Sequence, residues 1–171
     1  MRVLRTYRCT ICDGPGLRYA IYLAGCRHAC PGCHNPLSWN PNQGAELTPQ
    51  LLQSILQEIS SDPMLDGITI SGGDPYYDPA GLLQLLQQLK ANSPLPIWVY
   101  TGYTLQELLE AEPLAATLPY IHTLVDGRFV QALANPCLQW RGSSNQRIIP
   151  IAEQIANGTL SSPYFQPLSR E

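Results

Sequence analysis

Charge is scarce in this 171-residue sequence. Asp, Glu, Lys and Arg make up 13% of it, about half of the roughly 25% usual in soluble domains. The formal net charge is −3 and no basic run stands out. A nucleic-acid binder neutralises phosphates with a basic stripe and releases their counterions, so no nucleic-acid partner is expected. Long apolar runs are missing too. None approaches the roughly 18–20 residues that span a bilayer. The first ten residues carry Arg2, Arg5 and Arg8 but no apolar stretch of the kind a secretory signal needs. A soluble, cytoplasmic protein without a membrane partner is expected. No internal repeat is visible.

Cysteine is plentiful by contrast, with six residues. In a reducing compartment clustered cysteines serve metal binding or redox chemistry more often than a disulfide framework. Apolar residues make up 44%, an ordinary globular value. A chain of this length buries roughly 68–70% of its unfolded surface and can hold a core without covalent staples.

Strand, turn and helix signals alternate along the chain. Leu17 to Ala24 reads as the first strand. Thr48-Pro49 opens a helix in which Leu51, Leu52, Ile55, Leu56 and Ile59 recur at helical spacing. A short strand at Gly67 to Ile70 runs into Ser71-Gly72-Gly73-Asp74-Pro75, and Asp78-Pro79 caps a second helix. Ile97 to Tyr100 is a strand. Thr104 and Glu107 form a capping box for a third helix, which Pro113 is expected to end. Strands follow at Ile121 to Val125 and Gln146 to Ile149. This alternation predicts an α/β fold with a mostly parallel sheet. Five such units are too few for a closed eightfold barrel, so an open or partial barrel is expected. In such folds the chemistry sits at the C-terminal ends of the strands. One domain over residues 1–158 is expected, with a loosely ordered tail at 159–171.

The segment after the first strand reads Gly25-Cys26-Arg27-His28-Ala29-Cys30-Pro31-Gly32-Cys33-His34-Asn35-Pro36. Its C-x3-C-x2-C spacing lets three thiolates wrap one compact inorganic centre. Iron–sulfur clusters are held by thiolates, and a four-iron cluster normally takes four. Three would leave one iron open, as a catalytic metal requires. A structural zinc site of the Cys3His type, with His28 or His34 as fourth ligand, uses the same donors. The separate pair Cys9 and Cys12 lacks further ligands and reads as ordinary buried thiols. Cys137 and His122 read as core residues.

The C-x3-C-x2-C motif after a first strand resembles that of radical S-adenosylmethionine (SAM) enzymes. Further segments are similar to the activating enzymes of anaerobic ribonucleoside-triphosphate reductase. These are Asp13 to Arg18, the cysteine loop through Pro36, Ser71 to Pro75, Trp98 to Tyr103, Leu124 to Phe129 and Trp140 to Gln146. The resemblance implies a partial βα barrel of the radical SAM type and a 4Fe-4S cluster on Cys26, Cys30 and Cys33. It implies that SAM chelates the open iron and is cleaved reductively to a 5′-deoxyadenosyl radical. That radical would leave a glycyl radical on the large subunit of the reductase, with a flavodoxin- or ferredoxin-type electron donor.

The resemblance also distributes roles. Gly72 and Gly73 match the glycine motif that meets the SAM amino group, and Asp74 would attract its ammonium. The backbone of Gly32, Cys33 and His34 would line the adenine side, with His34 stacking on adenine or covering the cluster. Thr101 would touch the ribose or methionine part. Asp126 and Arg128 follow a strand, and Arg128 could pair with the SAM carboxylate as a planar fork. The Arg141 to Gln146 segment would contact SAM or dock the glycine-bearing loop. Another glycyl radical activase, or a small radical SAM synthase such as a deazapurine-ring synthase, would reuse the same motifs. A zinc interaction module or an iron–sulfur electron carrier are the readings outside that class.

Overall fold

Side-chain alternation divides one sheet into two unlike faces. The computed structural model describes residues 1–164. Its strands are β1 (Arg2–Thr10), β2 (Arg18–Leu23), β3 (Ala45–Glu46), β4 (Gly67–Gly72), β5 (Ile97–Tyr100), β6 (Thr123–Asp126) and β7 (Arg147–Ile149). They form an open sheet in the order β3-β1-β2-β4-β5-β6-β7. The four central strands, β2, β4, β5 and β6, are parallel. The outer strands β1, β3 and β7 run antiparallel to their neighbours.

Tyr19, Ile21, Leu23, Ile68, Ile70, Ile97, Val99 and Leu124 fall on one face and are buried. Helices α1 (Pro49–Ser61) and α2 (Pro79–Asn92) pack on them through Ile55 and Ile59, and through Leu82, Leu85, Leu86 and Leu89. Each such side chain contributes about 1.5–3 kcal/mol when fully buried. The helix starts follow from their caps. The Thr48 side chain accepts from the Leu51 N–H at 3.2 Å, and Asp78 accepts from the Gly81 N–H at 3.0 Å. Among the described residues no helix is long and apolar enough to cross a membrane.

Several expectations are corrected. The first strand is not Leu17 to Ala24 but β1, whose mixture of Arg, Tyr and Thr lacks a clean apolar alternation and which is held by pairing with β2. The last strand runs antiparallel, returning beside β6. Pro113 does not end the third helix. That helix, α3 (Leu105–Leu109), stops earlier, and Pro113 sits in the first turn of α4 (Glu112–Ala115), where a missing N–H costs nothing. A last helix, α5 (Ile151–Ala156), follows β7. Cys9, Cys12 and Cys137 are exposed rather than buried. They lie where β1 leaves the sheet and in the loop between β6 and β7. His122 is exposed at the entry to β6, where its Nδ1 bonds the Thr123 hydroxyl at 2.9 Å. Within the expected tail, Leu160 is buried against the core, and residues 165–171 lie outside the described residues.

The other face of the sheet is polar. Arg18, at the start of β2, is 1% exposed. Its guanidinium donates to the Thr69 hydroxyl and the Ile68 carbonyl, both at 2.6 Å, and to the carbonyl of Pro96 at 3.1 Å. It also lies 5.4 Å from the Trp98 ring centroid, within cation–π range. Burial pulls its pKa down to about 10, so it remains charged at neutral pH. Gly67 makes room for it, because a Cβ there would lie 2.2 Å from a guanidinium nitrogen. Replacing Arg18 by Leu strands these acceptors and is expected to cost about 3 kcal/mol. A lowered denaturant midpoint at unchanged slope would report it.

Candidate functional site

Because β2, β4, β5 and β6 are parallel, their C-terminal ends lie along one edge, and each opens into a segment singled out by the sequence. β2 leads into the cysteine loop. That loop is closed at its base, where the Gly25 N–H donates to Ser38 O at 2.8 Å and the Cys26 N–H to Trp39 O at 3.3 Å. Inside it the Cys33 N–H donates to Cys30 O at 3.1 Å, and Ala29 takes a left-handed conformation with φ 46°. A non-glycine residue adopts that at a cost of about 1–2 kcal/mol, so the loop is shaped against local preference. Cys26, Cys30 and Cys33 are free, partly exposed thiols lining one cavity of about 130 Å³. Burial pushes the Cys26 thiol pKa up. Among the described residues no three His, Cys, Asp or Glu side chains converge closely enough to hold a single metal ion.

β4 ends in the Gly-Gly-Asp segment. The Gly73 N–H donates to Leu23 O at 2.7 Å and the Asp74 N–H to Gly25 O at 2.8 Å. This stitches the segment to the root of the cysteine loop. Both glycines are required by that close approach. Gly72 has φ 106°, and a Cβ there would lie 2.4 Å from the Leu23 nitrogen; at Gly73 it would lie 2.3 Å from the Gly25 oxygen. Both line the cysteine cavity.

Asp74 is 2% exposed. Its carboxylate accepts from the Tyr76 N–H at 2.9 Å, the Thr101 hydroxyl at 3.0 Å and the Gly102 N–H at 2.9 Å. His28 Nε2 lies 2.6 Å from Oδ2. Thus one carboxylate ties the cysteine loop, the end of β4 and the end of β5 together. His28, weighed from the sequence as a zinc ligand, commits Nε2 to this contact and packs edge-on against Tyr103 at 4.7 Å.

At the end of β6 the structure separates three neighbours. Asp126 is 1% exposed and accepts from the Leu105 N–H at 2.7 Å and from the Arg147 guanidinium. It therefore latches β7 and α3 rather than facing the cavity. Arg128 is exposed, and its carbonyl takes the Asn145 side-chain amide at 2.8 Å. Gly127, between them, does line the cavity. His34 and Thr101 line it as well, whereas Gly32 sits exposed beside Gln131. Gln146, the end of the Arg141 to Gln146 segment, contributes to the wall, as do Trp39, which sequence reasoning did not single out, and Ser71, Tyr100 and Phe129, to which it gave no role of their own. For Ser71 and Tyr100 the signal was available, since each stands out of register with the buried residues of its strand. Larger grooves exist, including one of about 770 Å³ between α1 and α2, but they gather no comparable set of reactive side chains.

Residues 12–149 match a family profile described as a 4Fe-4S single cluster domain. The anaerobic ribonucleoside-triphosphate reductase-activating protein of Vibrio cholerae is 42% identical over 147 residues, covering 83% of this chain and 93% of that protein. The protein of the same name from Escherichia coli K12 is 42% identical over 144 residues, covering 82% and 92%. That of Enterobacteria phage T4 is 33% identical over 147 residues, covering 84% and 90%. The chain belongs to this family of activating proteins. The matched span begins at Cys12 and ends at the last strand, so it takes in the cysteine loop, the Gly-Gly-Asp segment and the ends of β5 and β6 of this activating-protein family member.

Asp74→Asn would keep the shape of the hub but lose its charge and one acceptor. Hydrogen bonds to a charged group are worth about 1.5–3 kcal/mol each, so a loss of about 2–4 kcal/mol is expected. Chemical denaturation of the variant beside wild type measures it.

Proposed function

We propose that this chain is a radical SAM activase that installs the glycyl radical of anaerobic ribonucleoside-triphosphate reductase. The observation that carries the reading is the placement of three free thiols in one cavity at the C-terminal ends of parallel strands, in a chain whose relatives are named as activating proteins of anaerobic ribonucleoside-triphosphate reductase. The open sheet, with its polar face free of helices, fits the partial barrel of the radical SAM type.

The donor set fits a 4Fe-4S cluster. Cys26, Cys30 and Cys33 supply three soft thiolates, and the cavity continues past them to Gly72, Gly73 and Gly127. Three protein ligands would leave one iron for the amino and carboxylate groups of SAM. A reduced cluster held there would supply one electron to the SAM sulfonium, so that the bond from sulfur to the adenosyl carbon breaks to give methionine and a 5′-deoxyadenosyl radical able to take a hydrogen atom from a glycine of the reductase.

The chain's own residues bind, orient and shield. The backbone at Gly72 and Gly73 offers carbonyls to the SAM ammonium. Asp74 has its oxygens engaged by protein donors, so it acts by holding the two loops and by its negative field. The Thr101 hydroxyl is likewise spent on Asp74 and its N–H on Val125 O, which leaves its backbone carbonyl for contact with SAM. His34, exposed at the cavity edge, covers the cysteines from solvent. The reductase presents its glycine-bearing segment from the open face of the sheet. A flavodoxin- or ferredoxin-type protein in the cytoplasm supplies the electron.

Two experiments test this. Cys26→Ala, Cys30→Ala and Cys33→Ala should each bring iron after anaerobic reconstitution down to background, while Cys137→Ala binds as wild type does. Full iron in Cys26→Ala would remove the ligand assignment. With reductase carrying deuterated glycine, deuterium should appear in 5′-deoxyadenosine as the glycyl signal grows. Cleavage of SAM with no deuterium transfer and no glycyl radical would rule out the activase reading.

A further inference from the structure

Beside the cysteine cavity lies a second one of about 380 Å³, and His34, Ser71, Tyr100, Phe129 and Gln146 belong to both walls. Among the described residues, the buried side-chain polar atoms without a hydrogen-bond partner are the Tyr100 hydroxyl and Arg141 Nε. Both residues line this second cavity. An unmade hydrogen bond at a buried donor costs stability, and costs of this kind are retained at functional sites. Their neighbours are not neglected. The Tyr22 hydroxyl donates to Asp13 at 2.5 Å, and another nitrogen of Arg141 donates to Gln146 O at 2.9 Å.

Resting on the activase reading, we propose that Tyr100 and Arg141 form a subsite for backbone carbonyls of the reductase segment that carries the target glycine. Arg141 Nε can only donate and the Tyr100 hydroxyl can donate as well as accept, so a single kind of ligand group that meets both is an acceptor. Burial raises the Tyr100 pKa and keeps the phenol protonated, and the Nε–H of a guanidinium is always present. A polypeptide offers one carbonyl per residue. Leu138 and Trp140 give the same cavity an apolar wall for its side chains, and Ile11, next to the lining Cys12, is 73% exposed. Tyr100 stands where the two cavities meet, so a segment held there has its neighbouring residue facing the cysteine cavity. The SAM carboxylate is the other source of the same acceptor chemistry. The second cavity draws none of its lining from Cys26, Cys30 or Cys33, which favours the polypeptide.

The test uses the full chain with its cluster reconstituted, as wild type, Tyr100→Phe and Arg141→Lys. Three quantities are read: affinity for the reductase, affinity for SAM, and melting temperature. Each variant should bind the reductase about tenfold more weakly, the equivalent of about 1.4 kcal/mol, with SAM affinity within about twofold of wild type. Tyr100→Phe should melt at or above the wild-type temperature, because it removes a donor that has no partner. Weakened SAM binding with unchanged reductase binding would assign the donors to the SAM carboxylate and overturn the proposal. Unchanged binding of both, or a lower melting temperature as the sole effect in Tyr100→Phe, would also overturn it. Wild-type protein that binds no reductase would remove the activase reading, and this inference with it.

Discussion

The site depends on one buried carboxylate. Asp74 collects donors from the cysteine loop, from the turn after β4 and from the end of β5. Without it the backbone bonds that join Gly73 and Asp74 to Leu23 and Gly25 would remain, but no side chain would tie the cysteine loop to the end of β5. A buried charge is tolerable when every lone pair finds a donor, and here that requirement selects the surroundings. Gly102 lies against the His28 ring because a side chain there would displace the histidine. Gly73 can reach the root of the cysteine loop because nothing projects from it. The glycines and the acid therefore form one device, which sets where the three thiols stand.

The sheet distributes stability and chemistry between its two faces. The apolar face, sealed by α1 and α2, carries the core. The opposite face begins at the N-terminal end with Arg18, whose charge is spread over carbonyls, a hydroxyl and an indole ring. It ends with the cysteine and Tyr100 cavities. Polar groups near Arg18 are satisfied internally, whereas the unsatisfied donors lie at the other end, near the cavities. That gradient is the expected signature of a scaffold at one end and a binding surface at the other.

Much of this was legible in the sequence where a residue's local chemistry determines its surroundings. Thr48, Asp78 and Thr104 set three helix starts, and Ile97 to Tyr100 matches β5 in both bounds. The cysteine spacing and the Gly-Gly-Asp segment were placed at strand ends, where they are found. What could not be read depends on partners distant in sequence. β1 has no apolar alternation of its own and is fixed by β2. Asp126 looked like a ligand residue but is claimed by Arg147, 21 positions away. Asp74 read as a charge that attracts the SAM ammonium; that its oxygens are also taken by His28, Thr101 and Gly102, 27 to 46 positions away, could not be read. The antiparallel return of β7 follows from the path of the preceding loop, which Gln146 ties to Gly127 through a 3.0 Å hydrogen bond.

On the proposed function, Cys26, Cys30 and Cys33 hold a cluster with one iron open to SAM. Electron paramagnetic resonance of the reduced, reconstituted protein, recorded with and without SAM, tests it most directly. A reduced 4Fe-4S signal is expected whose g-values and line shape change when SAM is added, because SAM would occupy the open iron. A signal that stays the same at saturating SAM would contradict it, since every iron would then already be closed by the protein.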